Sequence, residues 1–478
     1  MVVFISDLHF RDNQDRTIAA TTTQGFLQKS LIPQIVDAGA THIEVVFLGD
    51  LVDINRSEYW LDPQLAGEYR PWSNWKEALR QLPDEAVPDR GSFKQQEFET
   101  HITHILDRIA SANARNYELW EQFRIGDKSV WGKIASPPEI RFSYVPGNHD
   151  RLAQYSIGTR DKIIQQFAIS ARDQSSGKAL WDKADPFDWI QQYINGTVVA
   201  FHGHILDPFN FGGGNAFIEG KLTQDSNPIR SPWYFVPSLG DAVAVLFGCG
   251  IARELEKSGL ASGSSLKLPL EELDLVRPQS ASLLWLQKWG LEQHPDVQIT
   301  LDRAVESIFN GFMDDEFVGW SKARLLSFWE KIELGITKFF GSFKSIKGAL
   351  DAFETVAAGS EPPEEYEKSM AGFFLSKQFA HWLPEAFPNA RYFVSGHTHR
   401  PTIIPLVGAL GDDARAEKIY FNTGTWLDTI KETSDQSGFA RRNQITHVSF
   451  YDKGEELQGA SQSYWEYWQG GLRRGPAF

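Results

Sequence analysis

Seven short runs of Val, Ile, Phe, Leu and Tyr punctuate a mostly mixed-polarity chain. They are VVFIS (residues 2–6), IEVVFLG (43–49), RFSYVPG (141–147), TVVAFHG (197–203), RYFVSG (391–396), KIYFNTG (418–424) and ITHVSFY (445–451). Such runs predict buried strands. Each of the first five ends in a small residue beside acids, amides or histidines, and the crevice beyond strand carboxyl ends is where α/β sheets gather ligands. The pattern therefore predicts an α/β fold with its chemistry at one edge of the sheets.

Between the strands lie stretches of helical character. Residues 54–140 form a first helical insert, dense in Trp, and residues 205–390 a second, longer one that reads as a cap; the core is left as 1–53, 141–204 and 391–478. No internal repeat or low-complexity tract is evident. The most apolar window, 233–252, is broken by Pro237, Gly240 and Asp241. It predicts a buried helix from about Leu239, not a membrane span. Leu325, Trp329, Ile332, Ile336, Phe339, Phe343, Ile346, Leu350 and Phe353 follow one another in steps of four and three, an apolar seam. With Lys322, Arg324, Lys331, Lys338, Lys344 and Lys347 on other faces, that stretch suits a cap helix packed on its neighbours, or a peripheral membrane contact.

Composition narrows the picture. The 478 residues are 42% hydrophobic and 13% aromatic, enough for a large core in two or three domains. A net charge of −15 disfavours a general attraction to nucleic acid or to anionic membranes. The lone Cys249 excludes intramolecular disulfides and thiolate metal sites, so any metal must be held by His, Asp, Glu or Asn. The opening MVVFISDLHF passes straight into a strand without a basic n-region or cleavage pattern, and the expected location is cytoplasmic.

Five blocks carry candidate chemistry. SDLH supplies Asp7 and His9, LGDLVD supplies Asp50, PGNHD supplies Asn148, His149 and Asp150, FHGH supplies His202, and SGHTH supplies His397 and His399. Singly, each block is a weak signal. Together they are oxygen and nitrogen donors, a mixture suited to Mn, Fe or Zn and unlike an all-oxygen calcium cage. Seven donors exceed one tetrahedral site, whereas two ions sharing a carboxylate would use them all.

In this order the blocks resemble the calcineurin-like metallophosphoesterase superfamily, whose pattern is Asp-x-His, Gly-Asp-x-x-Asp, Gly-Asn-His-Asp/Glu, a His before a small residue, and Gly-His-x-His. ISDLHF, GHTHRP and FNTGTW look most like its bacterial branch of UDP-2,3-diacylglucosamine pyrophosphohydrolase-like phosphoesterases. This chain is longer than those proteins and reads HGH where they read HGD. The resemblance covers roughly 1–53, 141–204 and 391–452 and implies a four-layer αββα sandwich, two mixed sheets flanked by helices, with a mainly helical cap.

It further implies that Asp7, His9, Asp50 and His399 hold one divalent ion, and that Asp50, Asn148, His202 and His397 hold the other, with Asp50 bridging. The ions are expected to be Mn, with Fe or Zn as alternatives. His149 would face the substrate as proton donor and Asp150 would orient it. The implied reaction is hydrolysis of a phosphomonoester or phosphodiester by a hydroxide that the two metals activate. A small phosphorylated molecule suits the acidic charge; a nuclease, a lipid-pyrophosphate hydrolase at the membrane surface and a non-catalytic interaction protein are the other readings.

Several residues admit two roles. Asp53 fits outer support of a ligand or a loop cap. His204 fits a substrate contact or a hydrogen bond within its own loop, and Arg151 and Arg400 fit a phosphate oxygen or a nearby acid. Trp60, Trp72 and Trp75 suit stacking on a ligand or the core of the insert. The glycine-rich loop 204–217 suits close approach to a phosphate.

Overall fold

The computed structural model describes residues 1–13, 17–81, 93–169, 190–207, 209–213, 232–257, 275–277, 285, 295–324, 389–407, 417–433, 438–442, 444–452 and 465–470. Among these, the strands in chain order are β1 (Val2–Ile5), β2 (His42–Leu48), β3 (Glu139–Val145), β4 (Ile190–Tyr193), β5 (Val198–Phe201) and β6 (Val276–Arg277). They continue with β7 (Tyr392–Ser395), β8 (Thr402–Val407), β9 (Lys418–Asn422), β10 (Thr429–Glu432), β11 (Phe439–Arg442), β12 (Ile445–Phe450) and β13 (Trp465–Gly470). All seven hydrophobic runs are strands.

Two five-stranded mixed sheets form the centre. The first has the order β13-β12-β1-β2-β3, with β1, β2 and β3 parallel and β12 antiparallel to β1. The second has the order β4-β5-β7-β9-β8, with β5, β7 and β9 parallel and β4 and β8 antiparallel at its edges. A small sheet, β11-β10-β6, joins residues of the second insert to the C-terminal part of the core.

Alternation along β1 explains the layering. Val2 and Phe4 point to one side and pack with Val46, Leu48, Val198, Val394 and Phe421, so the two large sheets lie face to face. Val3 and Ile5 point to the other side, with Val45 and Phe47, into a cluster holding Phe98, Ile102 and Trp120. Phe47 and Trp120 meet edge to face at 5.4 Å. Truncating either there would cost about 3–5 kcal/mol.

The first insert supplies much of that helical layer and is not a separate lobe. Helix Gln95–Ala112 buries Phe98, Ile102, Ile105, Leu106 and Ile109, the spacing of one helix face. Helix Ala114–Arg124 adds Leu119, Trp120 and Phe123. Trp60, Trp72 and Trp75 are buried in the same core.

In the second insert, the helix expected from Leu239 is present. It runs through Leu239–Val243, Ala244–Cys249 as a π segment, and Gly250–Lys257. Helices Pro295–Asp314 and Glu316–Arg324 follow, and Phe317 stacks on Trp72 at 6.2 Å. The apolar seam, Leu325 to Phe353, lies outside the described residues. Among the described residues no helix is long and apolar enough to cross a membrane. The outer face of the second sheet is covered there by Ile205, Phe211, Tyr234 and Ala390, none of them in an α-helix.

Candidate metal centre

The carboxyl ends of β1, β2, β3, β5 and β7 converge, and each of the five blocks begins where its strand stops. Backbone hydrogen bonds stitch the blocks together. Asp7 N–H donates to Gly49 O (3.1 Å), His9 N–H to Asp50 O (2.8 Å) and Gly396 N–H to His202 O (2.9 Å). Gly49 must be glycine on two counts. Its φ is +80°, and a Cβ there would fall on the His202 ring.

Asp7, His9, Asp50, His397 and His399 all adopt positive φ, between 49° and 72°. They are five of the eight such non-glycine residues among those described. Each such conformation costs roughly 1–3 kcal/mol and persists only where surrounding contacts impose it. Backbone strain is thus concentrated at the residues the sequence singles out.

Two donor sets result. In the first, His399 Nε2 lies 3.1 Å from Asp7 Oδ1 and 3.0 Å from His9 Nε2. His9 Nε2 stands 3.8 Å from both Asp7 Oδ1 and Asp50 Oδ2. In the second, Asn148 Oδ1 is 3.2 Å from His202 Nε2 and 3.1 Å from His397 Nδ1, and Asp50 Oδ2 is 3.2 Å from His202 Nε2. Ligands bound side by side at about 2.1 Å from one ion sit roughly 3–3.5 Å apart. The contacts run from 3.0 to 3.8 Å, at or slightly beyond that spacing, and Asp50 Oδ2 takes part in one contact of each set.

The outer contacts aim these donors. Asp7 Oδ2 accepts His397 N–H (3.1 Å) and leaves Oδ1 to the site. Asp50 Oδ1 accepts His149 N–H (2.9 Å) and leaves Oδ2. His202 Nδ1 donates to Leu48 O (3.0 Å), which turns the Nε2 lone pair inward. His9 Nδ1 faces Asp53 Oδ2 at 3.3 Å, with the same effect on its Nε2.

Electrostatics shows a demand for positive charge. Burial alone pushes the Asp7 and Asp50 carboxyls up, but His202, with His399 and His9 at Asp7 and with His149 and His9 at Asp50, outweighs it and holds both below the usual carboxylate range. Burial lowers His202, yet Asp50 and Asp7 carry it up to about 10. His9 is raised likewise, burial being overcome by Asp53, Asp7 and Asp50. These acids favour positive charge on the imidazoles beside them, and a divalent cation is one way to supply that charge. Asp7, His9, Asp50 and His399 lie close enough together to hold a metal ion.

His149 lies beside the first set, its ring 4.9 Å from that of His9. Its side chain is 11% exposed and that of His399 is 13%, whereas Asp7, His9, Asp50 and His202 are closed off, so access is from this side. The acid that orients His149 is Asp53, not Asp150. Asp53 Oδ1 is 2.9 Å from His149 Nδ1, and Asp53 also meets Arg11 Nε at 3.2 Å. Asp150 turns away, accepting the N–H groups of Leu51 (2.9 Å) and Gly147 (2.5 Å), and so shapes the Asp50 and Asn148 loops from behind. Neighbourhood in sequence did not predict which side chain reaches the ring. Burial, followed by the Asp50 charge, pushes Asp150 up to about 7.

The two-role residues resolve unevenly. Arg151 is buried and pairs with Asp241 at 3.1 Å while donating to Phe235 O at 3.0 Å, so it ties the helix that begins at Leu239, the cap helix, to the site and does not reach for a phosphate. Trp60 Nε1 donates to Ile54 O (2.9 Å) and Trp72 Nε1 to Asp315 (3.1 Å), as insert core. His204 is buried with its ring 5.4 Å from that of His202, and neither of its nitrogens has a hydrogen-bond partner among the described residues. Burial, then His202 and His397, hold it well below the ordinary histidine range. Arg400 is half-buried at the rim, and its backbone N–H donates to Thr398 Oγ1 at 3.2 Å. The glycine-rich loop is described only through residue 213.

Sequence reasoning missed Asp207, Asn210, Asn55 and Asp241. Asp207 Oδ2 lies 3.1 Å from His397 Nε2. Asn55 Nδ2 donates to Asn148 O (3.0 Å) and to Asp241 Oδ1 (2.5 Å). Asp241 in turn caps the cap helix with Ser238. An Asp three residues before an Asn in a loop next to a candidate ligand histidine was the available signal for the first pair.

The chain was compared with protein-family models, with curated proteins and with solved structures, and none of the three gave a match.

Proposed function

We propose that this chain is a metallophosphoesterase of calcineurin-like type, hydrolysing a small phosphomonoester or phosphodiester with two divalent ions. Asp7, His9, Asp50 and His399 would hold one ion, and Asp50, Asn148, His202 and His397 the other. Mn is the first candidate, Fe or Zn the next. The mixed sheets are compatible with the four-layer sandwich of that superfamily.

One observation carries the reading: a single carboxylate oxygen, Asp50 Oδ2, stands between the two donor sets, 3.8 Å from His9 Nε2 and 3.2 Å from His202 Nε2. When bound, such ions supply Lewis acidity that makes water nucleophilic near neutral pH and offsets charge on phosphoryl oxygens.

The chain's own residues complete the chemistry. Asp53 fixes His149 through Nδ1, so Nε2 is the nitrogen free to carry a proton to the leaving oxygen. Burial lowers His149 below the ordinary histidine range despite Asp53 and Asp50, with Arg56 acting in the same direction as burial. The negative charge of an arriving phosphate opposes that shift and favours the protonated ring where it is needed. Proton donation of this kind matters most for poor leaving groups such as alkoxides.

The test is turnover of p-nitrophenyl phosphate and bis-p-nitrophenyl phosphate by Mn-loaded protein, beside Asp50→Asn. Turnover of at least one, lost in the variant, supports the reading. Failure with both substrates in protein that carries two ions contradicts it.

A further inference from the structure

We propose that Asp207 and Asn210 are positioning residues that hold the two most adaptable ligands of the second donor set, His397 and Asn148, in their ion-binding states. The inference rests on the dinuclear reading above. Of the second set, His202 is fixed by a main-chain carbonyl and Asp50 by a main-chain N–H. His397 and Asn148 are different. An imidazole can carry its proton on either nitrogen, and a carboxamide can turn either its oxygen or its NH2 inward.

Asp207 decides the first choice. His397 Nδ1 faces the site, 3.1 Å from Asn148 Oδ1, while Nε2 lies 3.1 Å from Asp207 Oδ2. A carboxylate accepts only, so it keeps the His397 proton on Nε2 and leaves Nδ1 as a lone pair. Asp207 is itself held. Its Oδ1 accepts Phe209 N–H (2.9 Å), and its Oδ2 also accepts Asn210 Nδ2 (2.7 Å).

Asn210 decides the second. With its NH2 bonded to Asp207, its Oδ1 faces Asn148 Nδ2 at 3.5 Å, a long contact but one that matches acceptor to donor. Asn148 Oδ1 is thereby left toward the site. The pair is seated on the start of the cap helix. Gly240 N–H donates to Phe209 O (2.8 Å), and a Cβ on Gly240 would strike Asn210 Oδ1. Both contacts are made to ligands proposed for the second ion, so the effect is expected there first.

The test uses the full chain. Mn binding is followed by calorimetry and by electron paramagnetic resonance, which separates an exchange-coupled pair from a single ion, in wild type, Asp207→Asn, Asp207→Glu and Asn210→Ala. In Asp207→Asn we expect one ion to bind as in wild type and the other to lose about 10- to 100-fold in affinity, with the coupled signal absent at one to two equivalents and restored by excess Mn. Asp207→Glu should recover part of that loss, which a merely structural role would not require. Unchanged binding of one ion reports that the variant is folded; if Asp207→Asn fails to fold, Asn210→Ala carries the same readout with a smaller shift. A wild type that binds two ions together with variants that bind both equally well overturns the proposal alone. A wild type that never shows a coupled pair overturns the dinuclear reading and this proposal with it.

Discussion

His9 Nε2 and His399 Nε2 lie 3.0 Å apart although 390 residues separate them along the chain. Two imidazole nitrogens aimed at one another within a buried set of carboxylates are stable only with a proton or a cation between them. Metal should therefore stabilise the fold. At a free Mn concentration 100 times the dissociation constant, one site adds about 2.7 kcal/mol to the unfolding free energy. Chemical denaturation with Mn and with chelator should show a difference of this order in wild type and a much smaller one in His399→Ala. Equal midpoints in the two conditions would count against a metal role for this cluster.

His149 and Asp53 should behave as one unit. His149→Asn is expected to leave metal content near the wild-type value and to lower turnover of alkyl phosphates by about 10²- to 10⁴-fold, the range of general acid catalysis. Nitrophenyl esters, whose leaving group needs little protonation, should lose far less. Asp53→Asn should show the same leaving-group dependence, together with weaker binding of the first ion through His9. An equal loss on both ester types in His149→Asn would rule out proton donation.

Asp150 should matter for stability. Its carboxylate receives two buried N–H groups, those of Leu51 and Gly147, and Asp150→Ala leaves both without an acceptor. The cost is about 1–3 kcal/mol for each. Urea denaturation should show it, and the leaving-group dependence of the residual activity should match wild type. If that dependence changes as in His149→Asn, Asp150 acts on the histidine after all.

A pH dependence of stability should come from His447, which is not among the proposed ligands. It is buried, its Nε2 is 2.9 Å from Gln34 Oε1, and burial takes its pKa down to about 3. Below its ordinary value of 6.5 the unfolded chain takes up a proton that the folded protein refuses until about pH 3. Stability is thus lost as pH falls through that window, by up to about 1.4 kcal/mol per pH unit from this group. In His447→Gln the slope of unfolding free energy against pH between 6 and 4 should be shallower. Parallel slopes in wild type and variant would contradict the assignment.

The sheets were legible because β1, β5 and β7 are central and buried on both faces, so their sequences read as short apolar runs. Strands such as β4 (Ile190–Tyr193), β11 (Phe439–Arg442) and β13 (Trp465–Gly470) escaped notice because they are antiparallel, lie at sheet edges and mix polar with apolar residues. The proposed metal donors were legible for a related reason. Asp7, Asp50, His202 and His397 directly follow buried strands, where polar side chains are costly without a partner. The supporting contacts were not. Asp53 and Asp150 stand in equivalent-looking places beside their blocks, and only the local backbone decides that one reaches His149 and the other turns to Leu51 N–H. Arg151, next to the metal block, is claimed by Asp241 from a helix 90 residues away, a pairing that no local pattern announces.

The central claim is that Asp50 is shared by two ions, and anomalous diffraction from crystals grown with Mn tests it most directly. The account predicts two peaks about 3.5–4 Å apart on either side of Asp50 Oδ2, one among Asp7, His9 and His399 and the other among Asn148, His202 and His397. A single peak, or peaks elsewhere on the molecule with this cluster bare, would contradict it.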